Sequence, residues 1–246
     1  MKIEGCTALV TGGNRGIGQG FVEELLSAGA RKVYVGSRNP EDIPDSYADL
    51  GDRIEVIKLD ISNPDQVAAA ASKATDVNLL VNNAGVFHMT TLMTAPTMDD
   101  MRSEMEVNFF GTMAMCRAFA PIIEANGGGT IVNVLSAGGI VAVPNMGGYS
   151  PSKFAMRAAS DCLRAELRSR NIHVAALIVG SVKTRMAEHI KNMKQALPSD
   201  IGKAGIFAIE NNINEHDTDP HAVSVRAFLA RDPHGLAESM AARMAK

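Results

Sequence analysis

Six short apolar runs, separated by stretches of helical length, constrain this chain more than any other feature. They span Thr7–Thr11, Lys32–Gly36, Ile54–Leu59, Asn78–Asn82, Thr130–Leu135 and Ile172–Val179. Several are continuously apolar instead of alternating, the pattern of strands covered on both faces. Between them, Gly16–Ala30 carries Ile17, Phe21, Leu25 and Leu26 near helical spacing and stops at Gly29. Asp65–Ala74 follows Ser62-Asn63-Pro64, a capping residue and a first-turn proline. This alternation predicts an α/β fold, a doubly wound parallel sheet of about six core strands with helices on both faces. No repeat, low-complexity tract or linker-like shift breaks residues 1–246, so a single domain is expected.

Of the 246 residues, 46% are hydrophobic and 21% charged, enough apolar surface for a core, which excludes a disordered or fibrous chain. A formal charge of −3 leaves no electrostatic footprint for nucleic acid or an anionic membrane. No run approaches the ~20 apolar residues that span a bilayer. The strand pattern that begins at Cys6 leaves no room for a signal peptide, so a soluble, cytoplasmic protein is expected. Cys6, Cys116 and Cys162 are widely spaced and odd in number, which suits neither a disulfide framework nor a metal site. Each is expected to be buried as a small apolar residue.

The segment Thr11-Gly12-Gly13-Asn14-Arg15-Gly16-Ile17-Gly18 falls where the first strand gives way to the first helix. Glycines there allow a tight turn, a close backbone approach to a pyrophosphate, and close packing of helix on sheet. The helix start then offers unpaired N–H groups to phosphate oxygens. Gly12, Asn14, Arg15, Gly16, Ile17 and Gly18 are therefore candidate dinucleotide-binding residues. At the end of the second strand, where an acid would hold the ribose of NAD, the chain reads Gly36-Ser37-Arg38. Arg38 can pair with a 2′-phosphate, Ser37 can donate a hydroxyl, and Arg15 could reach the same group. This predicts NADP(H) over NAD(H); two solvated surface arginines are the competing reading. Asp60, followed by Ile61, is a candidate for the adenine amino group and equally a turn residue.

Further along stand Asn82-Asn83-Ala84-Gly85, Asn108, Ser136 and Tyr149-Ser150-Pro151-Ser152-Lys153. Tyr149 and Lys153, four apart, share one helix face. Pro151 is tolerable only if that helix starts near Tyr149. Ser136 follows strand five at the carboxyl edge, where open α/β sheets bind ligands. For Asn108 the competing reading, which can hold together with a role in the site, is a buried asparagine satisfying backbone groups. His88 could line a pocket.

In this order the motifs resemble the short-chain dehydrogenase/reductase family, in its single-domain branch, over about residues 5–185. The resemblance implies hydride transfer between a nicotinamide and a small-molecule carbonyl or secondary alcohol. It implies Tyr149 as general acid/base and as part of the cofactor site, and Ser136 as holder of the substrate oxygen. Lys153 would hydrogen-bond the nicotinamide ribose and lower the pKa of the phenol, which at its ordinary ~10 is a poor acid/base at neutral pH. Asn108 would anchor a water joining Lys153 to solvent. Asn82, Ala84 and Gly85 would sit against the cofactor ribose, with Asn83 structural, and Gly180, Val182 and Thr184 would lie near the carboxamide. No metal is implied.

Two departures stand out. The family's Pro-Gly-x-x-x-Thr reads Val179-Gly180-Ser181-Val182-Lys183-Thr184 here, which loosens the turn without removing a donor. The family also ends in a seventh strand and an Asp-Gly-Gly-type turn, whereas this chain ends Arg231-Asp232-Pro233-His234-Gly235-Leu236 and a tail to Lys246. Leu236, Met240 and Met244 recur there at helical spacing. The seventh strand is expected to be missing, leaving strand six an apolar edge that needs cover. The family's tetramer is then in doubt, although a homo-oligomer of at least two copies is expected. Met186, Ile190, Met193 and Leu197 form an apolar stripe within 181–215 that suits a short lid helix or ordinary packing, with Lys191 and Lys194 facing outward. The rival reading is an NADP(H)-binding sensor or scaffold without turnover, favoured only by the two departures. An epimerase or dehydratase of the same superfamily needs a larger C-terminal region. No fixed charge pair marks the substrate as a carboxylate, sugar or steroid.

Overall fold

The computed structural model describes residues 1–188, 190 and 194–242. Six strands lie within a residue or so of the predicted runs: β1 (Thr7–Thr11), β2 (Lys32–Ser37), β3 (Ile54–Lys58), β4 (Leu79–Asn82), β5 (Gly129–Val134) and β6 (Ile172–Ile178). A seventh, β7 (Glu215–Asp217), completes a parallel sheet of order β3-β2-β1-β4-β5-β6-β7. The strand expected to be missing is thus present, in register Ala176↔Glu215, Leu177↔His216 and Ile178↔Asp217. It escapes pattern reading because Glu-His-Asp is short and polar. An edge strand needs only a backbone ladder, and its half-buried acids are neutralised by arginines of neighbouring helices. Strand β6 is therefore covered, and the argument against a tetramer loses its premise.

Eight α-helices flank the sheet among the described residues. On one face lie α1 (Gly16–Ser27) and α6 (Pro198–Glu210), which bury Phe21, Leu25, Ile201 and Ile209 against the strands. On the other lie α2 (Pro64–Lys73), α4 (Thr112–Ala125), α5 (Tyr149–Leu167), α7 (Pro220–Arg231) and α8 (Pro233–Ala242), with Val67, Phe119, Met156, Val225 and Leu236 in that core. The side chain of Asn63 caps α2 by accepting from the N–H groups of Asp65 and Gln66. The expected terminal helix is α8, with Leu236 and Met240 buried, while Met244 lies outside the described residues. Helix α3 (Asp99–Met105) runs into α4 through a π-helical turn, Glu106–Gly111, and such turns recur at functional sites. Cys6 and Cys116 are buried as expected, but Cys162 is exposed on α5. No described helix is long and apolar enough to cross a membrane.

Candidate active site

The site forms where the strand order reverses, between β1 and β4, at the carboxyl edge of the sheet. There Asn83 stitches the two strand ends together. Its Nδ2 donates to the carbonyls of Thr11 (2.9 Å) and Gly12 (3.2 Å). Thr11 Oγ accepts the N–H groups of Asn83 and Ala84, each at 3.0 Å. The glycine turn is left-handed at Gly12 (φ +64°) and Gly16 (φ +53°), which a side chain would strain. A Cβ at Gly18 would lie 2.1 Å from the Gly12 carbonyl oxygen, so this glycine lets α1 press against the turn. Arg15 precedes α1 in extended conformation and supplies no side-chain cap, so the first-turn N–H groups remain available to an anion. Tyr47, buried nearby, donates its hydroxyl to the Gly13 carbonyl at 2.8 Å and braces the turn.

A cleft of about 760 Å³ opens along this edge. It is lined by every predicted cofactor and catalytic residue except Gly18, Asn82 and Asn108. Asn82 is turned the other way. Its Nδ2 donates to Asn133 Oδ1 (3.0 Å) and Cys116 Sγ (3.3 Å) in a buried polar chain against α4, because successive strand residues face opposite sides. Beside the end of β2, Ser37 spends its hydroxyl on Asn39, and Arg15 faces Asp42 at 3.6 Å. Arg38 is exposed and makes no ion pair among the described residues. The Asp60 carboxylate accepts the N–H and hydroxyl of Ser62, the turn role weighed for it, while remaining in the cleft wall.

At the far end of the cleft, α5 begins at Tyr149, so Pro151 falls in its first turn. The Tyr149 phenol hydrogen-bonds Ser136, and the Phe87 ring packs on it with centroids 5.0 Å apart. Lys153 is buried, donates to the Val134 carbonyl at 3.0 Å, and holds its ammonium 5.6 Å from the Tyr149 ring centroid. Burial lowers its pKa to about 8. Burial pushes the Tyr149 phenol up, the Ser136 hydrogen bond pulls it down, and the Glu104 carboxyl raises it further. The net shift is upward, against the lowering expected for this phenol, because burial is the largest contribution.

Asn108, 1% exposed in the π-helical turn, accepts from Val86 N–H (2.8 Å) and donates to Val86 O (3.0 Å) and Ser152 Oγ (3.1 Å). One acceptor position is left for a water. The Val179-Gly180 turn is not loose: Asp219, buried at the start of α7, accepts the Gly180 N–H at 2.6 Å. Arg185–Ala187 forms one 3₁₀ turn and Val182 pairs with Ala196 as an isolated bridge, while the middle of the segment expected as a lid helix or as packing lies outside the described residues. Met193 and Lys191 lie outside the described residues.

Comparison with known proteins decides the family. The chain matches the short chain dehydrogenase family over residues 6–195. It belongs to that family. A short chain dehydrogenase from Burkholderia cenocepacia, solved in complex with NADP, is 39% identical with a TM-score of 0.91, covering 98% of this chain and 99% of that one. A family member from Burkholderia phymatum, solved with NAD, is 25% identical with a TM-score of 0.82, covering 92% and 93%. Dehydrogenase/reductase SDR family member 7B of Mus musculus is 31% identical over 197 residues, 75% of this chain and 60% of that protein. The chain thus spans about 60% of the length of that curated relative. The family uses a nicotinamide cofactor. The glycine turn, the uncapped helix start and the size of the cleft fit such a group.

Glu104, Tyr47 and Asp219 carry no motif, and sequence reasoning misses them. Glu104 alone leaves a signal, since it stands four residues before Asn108 and so shares its helix face.

Proposed function

We propose that the chain interconverts a small-molecule carbonyl and its secondary alcohol with NADP(H), using Tyr149 as general acid/base. The observation that carries this reading is the meeting of Tyr149, Ser136 and Lys153 in a cleft whose other end is a phosphate-binding glycine turn. When bound, the nicotinamide supplies or accepts the hydride. In reduction, the Tyr149 hydroxyl gives its proton to the substrate oxygen as negative charge develops there. Ser136 hydrogen-bonds that oxygen and holds it beside Tyr149. Lys153, charged below about pH 8, stabilises the phenolate left behind. Asn108 fixes the strand-four loop at Val86 and α5 at Ser152, which keeps the floor of the site rigid. Preference for NADP(H) is supported by the Arg38 guanidinium, which makes no ion pair among the described residues, and by the absence of a carboxylate at the end of β2. The Burkholderia relatives, one solved with NADP and one with NAD, point both ways.

The test is a panel of ketones and secondary alcohols with both cofactors, run beside Tyr149→Phe. Turnover by the parent is expected to fall at least about 100-fold in the variant, the usual contribution of a placed acid/base, with cofactor binding retained. Binding without consumption across the panel would instead support the sensor or scaffold reading. That alternative has lost its main motive, because β7 is present and Asp219 anchors the altered turn.

A further inference from the structure

The cleft wall holds a carboxylate that the proposed chemistry leaves unused. Beside the end of β2, Asp42 lines the cleft together with Arg15, Ser37, Arg38 and Asn39. The short hook from Ser37 to Asp42 is closed by its own contacts. Ser37 Oγ donates to the Asn39 carbonyl (3.0 Å) and accepts the Asn39 N–H (3.2 Å), and the Asp42 N–H donates to the Asn39 carbonyl at 3.1 Å. From the glycine turn, Asn14 Nδ2 donates to the Asp42 carbonyl at 2.9 Å and ties the hook down. The Asp42 carboxylate is left to face Arg15, with Oδ2 at 3.6 Å from Nη1. The two side chains are 62% and 50% exposed, so their pairing adds little to folding. Its effect falls on the ligand instead, because it occupies one of the two arginines expected to meet a 2′-phosphate. The other acid of the cleft wall, Asp60, is engaged by the N–H and hydroxyl of Ser62.

We propose that Asp42 is a specificity-determining residue that competes with the 2′-phosphate of NADP for Arg15, and so moderates the preference for NADP over NAD. The inference rests on the reading of Arg15 and Arg38 as partners of that phosphate. A phosphate that draws Arg15 to itself must first part the guanidinium from the carboxylate, which spends a fraction of the attraction it gains. NAD carries a hydroxyl at the same position and does not compete for the guanidinium. Arg38, which makes no ion pair among the described residues, has no such competitor. Arg38 therefore sets the direction of the preference, and Asp42 limits its size through Arg15.

The experiment is calorimetric titration of the whole protein with NADP and with NAD at low salt. Asp42→Asn keeps the backbone carbonyl that Asn14 grips and removes only the charge. NADP is expected to bind the variant about three- to tenfold more tightly than the parent, with NAD changed by less than about twofold. The gain should narrow at high salt. Because the competition runs through Arg15, Asp42→Asn made in an Arg15→Gln background should give a clearly smaller gain. An unchanged NADP affinity, or a gain shared equally by NAD, overturns the proposal. A gain undiminished without Arg15 also overturns it, since Asp42 would then act on the phosphate directly. Weaker NADP binding in Asp42→Asn overturns it by making Asp42 a support for Arg15. Equal affinities of the parent for NADP and NAD would sink the NADP reading, while the change on substitution still decides the role of Asp42.

Discussion

Lys153 shows how a residue can serve chemistry at the expense of stability. Its ammonium is buried with one carbonyl partner, and burial lowers its pKa to about 8. Between about pH 8 and the ordinary lysine value, the folded protein therefore holds fewer protons than the unfolded chain, and stability rises with pH. Below about pH 8 the full cost of burying the charge is present. Lys153→Met is accordingly expected to gain about 1–3 kcal/mol at neutral pH, after allowance for the lost carbonyl hydrogen bond, while losing turnover. The gain should shrink as pH climbs from 8 towards 10, which urea unfolding over a pH series would read. A less stable Met variant at neutral pH would mean that the bond to Val134 outweighs the desolvation. Lys153, Tyr149 and Ser136 are legible in sequence because the reaction demands those residue types at set spacings. Tyr47 and Asp219 are not, because each acts on a loop 34 or 39 residues away through a contact only the fold creates.

Among elements, β7 is the one whose existence depends on side chains of other elements. Arg157 of α5 grips the Glu215 carboxylate with contacts of 2.6 and 3.0 Å, while Arg226 of α7 reaches Glu215 at 2.8 Å and Asp217 at 2.6 Å. Burial alone would raise the Glu215 carboxyl, but the two guanidinium groups hold it below the usual glutamate range. A depressed carboxylate contributes stability above its unfolded value and loses it as pH falls through the folded one. Acidification below about pH 4 should therefore loosen β7 before the central strands. The amide of Thr218, which donates to the Ile178 carbonyl at the end of this pairing, is expected to exchange early in hydrogen-exchange experiments. Glu215→Gln should bring that early exchange to neutral pH. Equal protection of Thr218 and the β5 amides in the variant would refute this account. The same network explains why the strand could not be foreseen. Strands β1 to β6 declare themselves by the apolar surface they bury, whereas three polar residues held by remote arginines leave no pattern along the chain.

The whole molecule is organised so that one cleft draws on both halves of the sheet. Gly12, Gly16 and Arg38 come from the β1–β3 half, and Ala84, Ser136, Lys153 and Thr184 from the β4–β6 half. A ligand spanning that cleft couples the halves and binds only the folded chain. At a concentration 100-fold above its dissociation constant, it should add about 2.7 kcal/mol. For a chain of this size that raises Tm by roughly 5–11 °C. If Arg38 receives the 2′-phosphate, NADP should raise Tm more than NAD at equal concentration. The difference should narrow in high salt, since the screening length falls from about 10 Å at 0.1 M to about 3 Å at 1 M. Arg38→Asp should reverse the order, because the introduced carboxylate repels a phosphate and accepts a ribose hydroxyl. Tyr149→Phe should leave both shifts in place, since the phenol acts on substrate and not on the dinucleotide's phosphates. Equal shifts for NADP and NAD in the parent would remove the case for NADP while leaving the glycine turn as the anchor for either cofactor. A difference that persists unchanged at high salt would point to shape, not charge, as the source of the preference.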